Sequence, residues 1–169
     1  SVNITSDAGN GIGYTGMSIR GSDGSRINVT INGVPLNDSE SHGTYWVDLP
    51  DFASSISSIQ IQRGVGTSTN GAGAFGGSIN ISTQKQSQVP KFKLSNSFGS
   101  YGTLKNSISF TTGTVGTYFE LSGNLSKIYS DGYIDRASSN LKGYFLQGSY
   151  DYDKTNIKLI AFGGHERTY

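Results

Sequence analysis

From residue 92 to residue 162 the chain alternates apolar and polar residues, segment after segment, with a turn between segments. A period of two belongs to extended strands, whose successive side chains point to opposite faces. Phe92, Leu94 and Phe98 share one face, and Lys93, Ser95 and Ser97 the other. Leu104, Ile108 and Phe110 alternate with Lys105, Ser107 and Ser109. Phe119, Leu121, Gly123 and Leu125 face away from Glu120, Ser122, Asn124 and Ser126. Tyr144, Leu146, Gly148, Tyr150 and Tyr152 face away from Phe145, Gln147, Ser149 and Asp151. A fifth segment, residues 156–162, follows a turn, and its pattern assigns neither face.

This pattern fits two architectures. A soluble antiparallel sheet puts its apolar face on a core. A membrane barrel turns its apolar face to lipid and its polar face to the lumen. Two details favour the barrel. Tyr101, Tyr118, Tyr129, Tyr133, Tyr150 and Tyr152 cluster at strand ends, as an interfacial girdle requires. Short turns at residues 113–116 and 153–155 fall on one side, and the long polar connection at 129–140 falls on the other. Five strands cannot close such a barrel, which takes about 8 or more. On this reading most of the barrel lies outside the chain, and a start at Ser1 reads as a processed product or excised piece.

The stretch before residue 84 differs. Glycine-rich loops separate short apolar strands at residues 26–31, 58–62 and 78–82, and residues 52–57 suit a short helix capped by Asp51. Residues 87–91, polar and containing Pro90, read as a linker between residues 1–86 and 92–169.

Composition narrows the function classes. With 24 Gly, 10 Tyr and few strong helix formers in 169 residues, a helical bundle or α/β enzyme is disfavoured. Thirteen basic and twelve acidic residues give a net charge of +1, so no nucleic-acid footprint exists. The absence of cysteine excludes a thiolate metal site and a cysteine nucleophile. The sequence carries no cofactor motif that survives scrutiny. Two Gly-x-Gly-x-x-Gly stretches, at residues 11–16 and 71–76, lack the following helix that a dinucleotide fold needs. His42 lies near Asp38, Glu40 and Asp48, a weak metal signal better read as a solvated loop; His165-Glu166-Arg167 reads as a charged strand end. No catalytic spacing is present, and an enzyme is not expected. Arg20, Arg26 and Arg63 are either partly buried and paired or at strand ends.

Three segments in order resemble the plug domain of TonB-dependent outer-membrane receptors. They are Ile19-Arg20-Gly21; Val29-Thr30-Ile31-Asn32-Gly33-Val34-Pro35; and Ile59-Gln60-Ile61-Gln62-Arg63-Gly64 followed by Asn70-Gly71-Ala72-Gly73-Ala74-Phe75-Gly76-Gly77-Ser78-Ile79-Asn80-Ile81-Ser82-Thr83. Asn32, Gln60, Val65 and Asn70 depart from the family's usual Asp, Glu, Pro and Tyr. Gln62-Arg63-Gly64 also differs from the Leu-Lys-Asp pattern of SusC-type glycan importers.

The resemblance implies a mainly β chain: a small α+β plug portion followed by antiparallel strands of an incomplete transmembrane β-barrel. The family's barrel has about 22 strands and a lumen wide enough for a plug. The resemblance further implies a receptor in the outer membrane of a Gram-negative bacterium, plug in the lumen, taking up a scarce nutrient such as a metal chelate, siderophore or vitamin. The TonB energy-transducing complex would engage a segment upstream of Ser1, and a surface lipoprotein is a conceivable partner. By position in the family, Asn37, Asp38, Glu40, His42, Tyr45 and Trp46 on one loop, and Tyr14 on another, face the ligand. Arg20, Gly21, Asn32, Gly33, Arg63, Gly64, Gly76 and Gly77 make the plug's structural motif. The rival reading is a secreted or surface β-sandwich adhesin, which shares the alternation and the glycine content.

Overall fold

The computed structural model describes residues 2–64 and 74–168. The N-terminal unit contains β1 (Val2–Ser6) and β2 (Thr15–Ile19), which pair antiparallel. A second sheet has the order β4 (Val34–Pro35), β3 (Ile27–Ile31), β6 (Gly77–Thr83), β5 (Ile56–Arg63). In it β3 and β6 run parallel, while β4 and β5 run antiparallel to their neighbours. Three short 3-10 turns, Gly24–Arg26, Trp46–Asp48 and Phe52–Ser55, complete the unit.

Glycine motifs shape this unit where backbone must turn or touch. Asn32 and Gly33 have φ of 50° and 84°, so they form the two-residue turn between β3 and β4. The Asn32 side chain accepts from Thr83 N at 3.0 Å and donates to Thr83 Oγ1 at 2.8 Å, tying that turn to the end of β6. Arg20 and Gly21 repeat the positive-φ pair between Ile19 and Ser22. Gly76 and Gly77 lie where a Cβ would meet the Ser22 side chain at 2.5 Å and the Gln62 carbonyl at 2.7 Å.

The C-terminal unit is one antiparallel meander in the order β7 (Lys91–Phe98), β8 (Leu104–Thr111), β9 (Phe119–Ser130), β10 (Ser139–Tyr152), β11 (Thr155–Thr168). Its five strands coincide with the five alternating segments, and β9, β10 and β11 run longer than the alternation alone marks. The faces are inverted relative to a soluble sheet. Glu120, Ser122, Asn124, Ser126, Gln147 and Ser149 are buried against the N-terminal unit. Leu94, Leu104, Ile108, Phe119, Leu121, Leu125, Leu146 and Leu159 are exposed on the other side. On that bare side Gly123 lies beneath Phe110 and Leu146, and Gly163 beneath Tyr144, so aromatic and aliphatic side chains cover the glycine gaps.

One apolar core joins the units. Ile19, Ile27, Val29, Ile31, Leu49, Phe52, Ile79 and Ile81 pack with Phe145 of β10, edged by Ile160 and Phe162 of β11. This explains why β11 is apolar on both sides: Ile160 and Phe162 face the N-terminal unit, while Ile157, Leu159 and Ala161 face outward.

Candidate functional site

Strand direction defines two ends. β3 and β6 both leave at Ile31 and Thr83, and the chain passes from Thr83 through residues 84–90 into β7. The ligand-facing loops anticipated from the sequence gather at the opposite end, near Ile27 and Gly77.

The loop over residues 37–46 is held there by Asn37. Its Oδ1 accepts from Val29 N at 2.7 Å, and its Nδ2 donates to the carbonyls of Ile27 and His42, each at 2.8 Å. Asp38 organises the turn. Its carboxylate accepts from Ser41 N at 2.7 Å, Ser41 Oγ at 2.8 Å and Glu40 N at 3.1 Å. The Ser41 backbone N–H, then the Ser41 hydroxyl, hold the Asp38 carboxyl below the usual carboxylate range. Tyr45 donates from its hydroxyl to Ser41 Oγ at 3.2 Å. Trp46 packs on the core, and with Thr15, Gly16, Met17, Ser25 and Thr44 it lines a recess of about 170 Å³. Glu40, His42 and Tyr45 stay exposed. Asn37 therefore spends its polar atoms tying the loop to β3, and Asp38 spends one carboxylate oxygen on the loop's own turn.

The loop carrying Tyr14 reaches the five-stranded C-terminal sheet, which forms a wall beside the N-terminal unit. Tyr133 N donates to the Ala8 carbonyl at 2.9 Å, and Asn10 Nδ2 donates to Ser130 Oγ at 2.7 Å. Tyr133 in turn stacks edge-on with Tyr101, centroids 5.4 Å apart. Tyr14 is exposed. Arg63 and Gly64 close β5 at this same end, and Gly64 N donates to the Gly76 carbonyl at 3.0 Å. Residues 65–73, which include Val65, Asn70 and most of the second glycine triplet, lie outside the described residues. Arg20, Arg26 and Arg63 are exposed, and Arg26 lies within electrostatic reach of the Asp23 carboxylate. No group of three metal-ligating side chains forms among the described residues.

Below the loops, three consecutive residues fix the N-terminal unit to the wall. Pro50 lies in a notch made by the cross-strand pair Gly143 and Gly164; a Cβ on Gly143 would meet its carbonyl at 2.4 Å, and one on Gly164 its ring at 2.2 Å. Asp51 pairs with Lys105 of β8 and accepts from Ser54 Oγ at 2.7 Å. Phe52 meets Phe145 and Phe162 edge-on at 5.5 and 5.4 Å. The sequence reading of Asp51 as a helix cap is replaced here. Asp51 has φ of 54°, caps nothing with its side chain, and serves the wall lysine instead. Residues 52–57 accordingly form a 3-10 turn over Phe52–Ser55, after which β5 begins. Gln147 Nε2 adds a bond to the Gln84 carbonyl at 3.1 Å. Beside Lys105, a groove of about 380 Å³ along the wall carries Lys91 and Lys93.

The family model for the TonB-dependent receptor plug domain matches residues 1–78. In its plug segment and in its fold the chain is similar to the TonB-dependent receptors. That family consists of outer-membrane transporters and receptors, not enzymes. Solved structures agree on the fold. The copper transporter OprC superimposes with a TM-score of 0.80 at 18% identity, over 99% of this chain and 27% of that one. The ferric yersiniabactin uptake receptor FyuA from Yersinia pestis gives 0.71 at 16% identity, over 95% and 26%. The siderophore receptor PirA from Acinetobacter baumannii gives 0.65 at 19% identity, over 99% and 28%. The chain thus spans about a quarter of the length of these receptors. Among curated proteins, sequence comparison finds no match. The N-terminal unit is the plug portion, and the meander corresponds to barrel wall.

Proposed function

We propose that this chain is the ligand-sensing part of an importer for a metal chelate, siderophore or vitamin, with the plug seated in the barrel lumen. The observation that carries this reading is the inverted wall sheet: serines, Asn124 and Gln147 close on the plug while leucines and aromatics stand bare. A sheet so built is stable only with lipid on its bare side. A sandwich adhesin requires the reverse, with apolar faces packed together.

On this reading the end holding Tyr14, Glu40, His42, Tyr45 and the Trp46 recess faces outside and receives ligand. Tyr14 and Tyr45 supply flat apolar area with a polar tip. Asn37 and Asp38 act by holding the loop. The plug motif residues Arg20, Gly21, Asn32, Gly33, Arg63, Gly64, Gly76 and Gly77 build its turns and tight contacts. Ligand capture is followed by energy-coupled rearrangement of the plug, driven by the TonB complex through a segment preceding the plug. The solved relatives include pyoverdine, yersiniabactin and copper proteins, which supports a metal-bearing cargo.

The test is uptake of radiolabelled ferric chelates and of cobalamin by cells producing the complete receptor. We expect accumulation that collapses when the energy-transducing partner is deleted, and surface binding that falls at least tenfold in the Tyr14→Ala, Tyr45→Ala double variant. Accumulation indifferent to that partner, or a receptor extracted without detergent, would overturn the reading.

A further inference from the structure

We propose that Lys91 and Lys93 hold an anionic, carboxylate-bearing chelate in the groove between plug and wall, at a second station below the ligand-facing loops. The inference rests on the importer reading above and narrows its cargo to one charge class.

The plug does not cover the wall evenly. Its anchors fall on β8 to β11: Asp51 on Lys105, Pro50 between Gly143 and Gly164, and Phe52 against Phe145 and Phe162. Among the described residues, no hydrogen bond or ion pair joins β7 to the plug. What lies there instead is the groove of about 380 Å³, with Ser54 and Gln84 on its plug side and the inward residues of β7 and β8 on the other. That volume is within the range of small-molecule sites.

The register runs the groove from one end of the sheet to the other. Ser97 faces Lys105 at the end of the ligand-facing loops, and Ser95 faces Ser107 below them. Lys93 then faces Ser109, and Lys91 faces Thr111 where the chain enters from residues 84–90. At about 3.4 Å per residue, the path from Ser97 down to Lys91 is about 20 Å long. Besides Lys105, its upper two rows carry only serines, so no bulky side chain blocks the descent.

Charge gives the lower rows their character. Lys105 is engaged by Asp51, the acid on the plug side. Glu120, the one acid of β9, is 2% exposed and accepts from Thr111 Oγ1 at 2.5 Å. Lys85, Asp151 and Lys158 line a separate recess nearer the linker. Lys91 and Lys93 are exposed, and among the described residues neither forms an ion pair. Two positions apart on one face, their Cα atoms are about 7 Å from each other, a spacing at which both ammonium groups can meet one polycarboxylate. Ser95, Ser107 and Ser109 add hydroxyl donors beside them.

Lysine suits a station better than arginine. Its ammonium is a compact hydrated charge without the planar fork that clamps a carboxylate through two bonds. A site on a conduit must draw its solute in and still release it. A cleft lined by one sign of charge focuses its field on an entering anion, and a neutral or cationic chelate gains nothing from it. Lysines on an edge strand can also serve merely to repel other strands. In that case chelates of every charge pass alike, and the test separates the two roles.

The test uses cells producing the complete receptor and radiolabelled ferric chelates sorted by charge: anionic ferric citrate and ferric rhizoferrin, neutral ferrichrome and cationic ferrioxamine B, with cobalamin alongside. We expect an anionic carboxylate chelate to be accumulated in preference to the rest. For that chelate, the Lys91→Gln, Lys93→Gln variant should keep surface binding within about twofold of the parent when the energy-transducing partner is deleted, yet take it up at an initial rate lower by about fivefold or more. Retained surface binding reports a folded receptor. Lys91→Arg, Lys93→Arg should keep at least about half the parent rate, and Lys154→Gln in the β10–β11 turn all of it. Independently, Lys93→Cys with Lys91 in place should react with an anionic thiosulfonate about fivefold faster than with a cationic one, each rate taken relative to a small free thiol. Four outcomes would each overturn the inference: uptake unchanged in the Gln variant, surface binding that falls in step with uptake, no charge preference at Lys93→Cys, or accumulation of neutral or cationic solutes alone. Where any solute is still accumulated through the energy-transducing partner, the importer reading stands without this inference. A receptor that accumulates none of them removes both.

Discussion

Asp51 of the plug, its side chain only 3% exposed, is paired with Lys105 on the second wall strand. One Asp51 oxygen is held by Lys105 and Ser54, and the other is buried without a partner. Removing Lys105 would leave a buried charge unanswered. Lys105→Met is expected to destabilise the docked plug by about 1–3 kcal/mol, discounted from the fully buried case because the lysine is partly open to the groove. A double-mutant cycle with Asp51→Asn, read by thermal melting of the receptor in detergent, should give a positive coupling energy. Strict additivity would remove the pair from the account.

Phe52 should matter through packing alone. It is buried and touches Phe145 and Phe162 edge-on. Phe52→Ala leaves a cavity, and a loss of about 3–5 kcal/mol is expected. Phe52→Leu should recover most of that loss. Urea unfolding followed by plug accessibility to protease measures both.

The Pro50 notch predicts a steric phenotype in the wall. Gly143→Ala puts a methyl group 2.4 Å from the Pro50 carbonyl, too close to be absorbed without backbone movement. A cost of about 1–3 kcal/mol is expected, with the plug becoming more protease-sensitive. Gly148 lies on the same strand with only Phe119 at 4.0 Å, so Gly148→Ala should be nearly silent and serves as the control.

The Asp38 turn gives a pH prediction with a defined sign. Its carboxyl is held below the usual range because the folded loop binds the ionised form, chiefly through Ser41. That contribution is complete at neutral pH and is lost as the pH falls through the lowered value. The loop should resist chymotrypsin at Tyr45 at neutral pH, and Asp38→Ala should open it there. Pepsin cleavage of the native loop should begin only below the ordinary carboxylate range, and at higher pH in Asp38→Ala. Identical onset in both proteins would contradict the assignment.

The wall strands were readable from the sequence because one side must be polar and the other apolar over many residues. The alternation failed only at β11, where Ile160 and Phe162 meet the plug while Leu159 and Ala161 meet the outside. Local patterning cannot see two different apolar environments. The strand β4 was missed for another reason: its two residues are too few to show a period. Asp51 after Pro50 looks like a cap because capping is a local property, whereas its real partner Lys105 lies 54 positions away. The Gly143–Gly164 notch was equally invisible, since nothing near either glycine announces Pro50. In the loops, sequence identified the right segment but not the division of labour. Asn37 is polar enough to bind a ligand, and only the contacts to Ile27, Val29 and His42 reveal that it is already occupied.

The parallel pairing of β3 with β6 has a consequence for how this molecule is made. Thr30 and Asn80 come together across 50 positions, whereas each wall hairpin closes through a connection of two to eight residues. Contacts remote in sequence are slow to form because chain closure must come first. The hairpins should therefore assemble early, and the cork should crystallise late, inside a vessel already half built. Chaperoning during biogenesis then has one main task here, to keep the isoleucine-rich segments of β3 and β6 apart from other chains until they find each other.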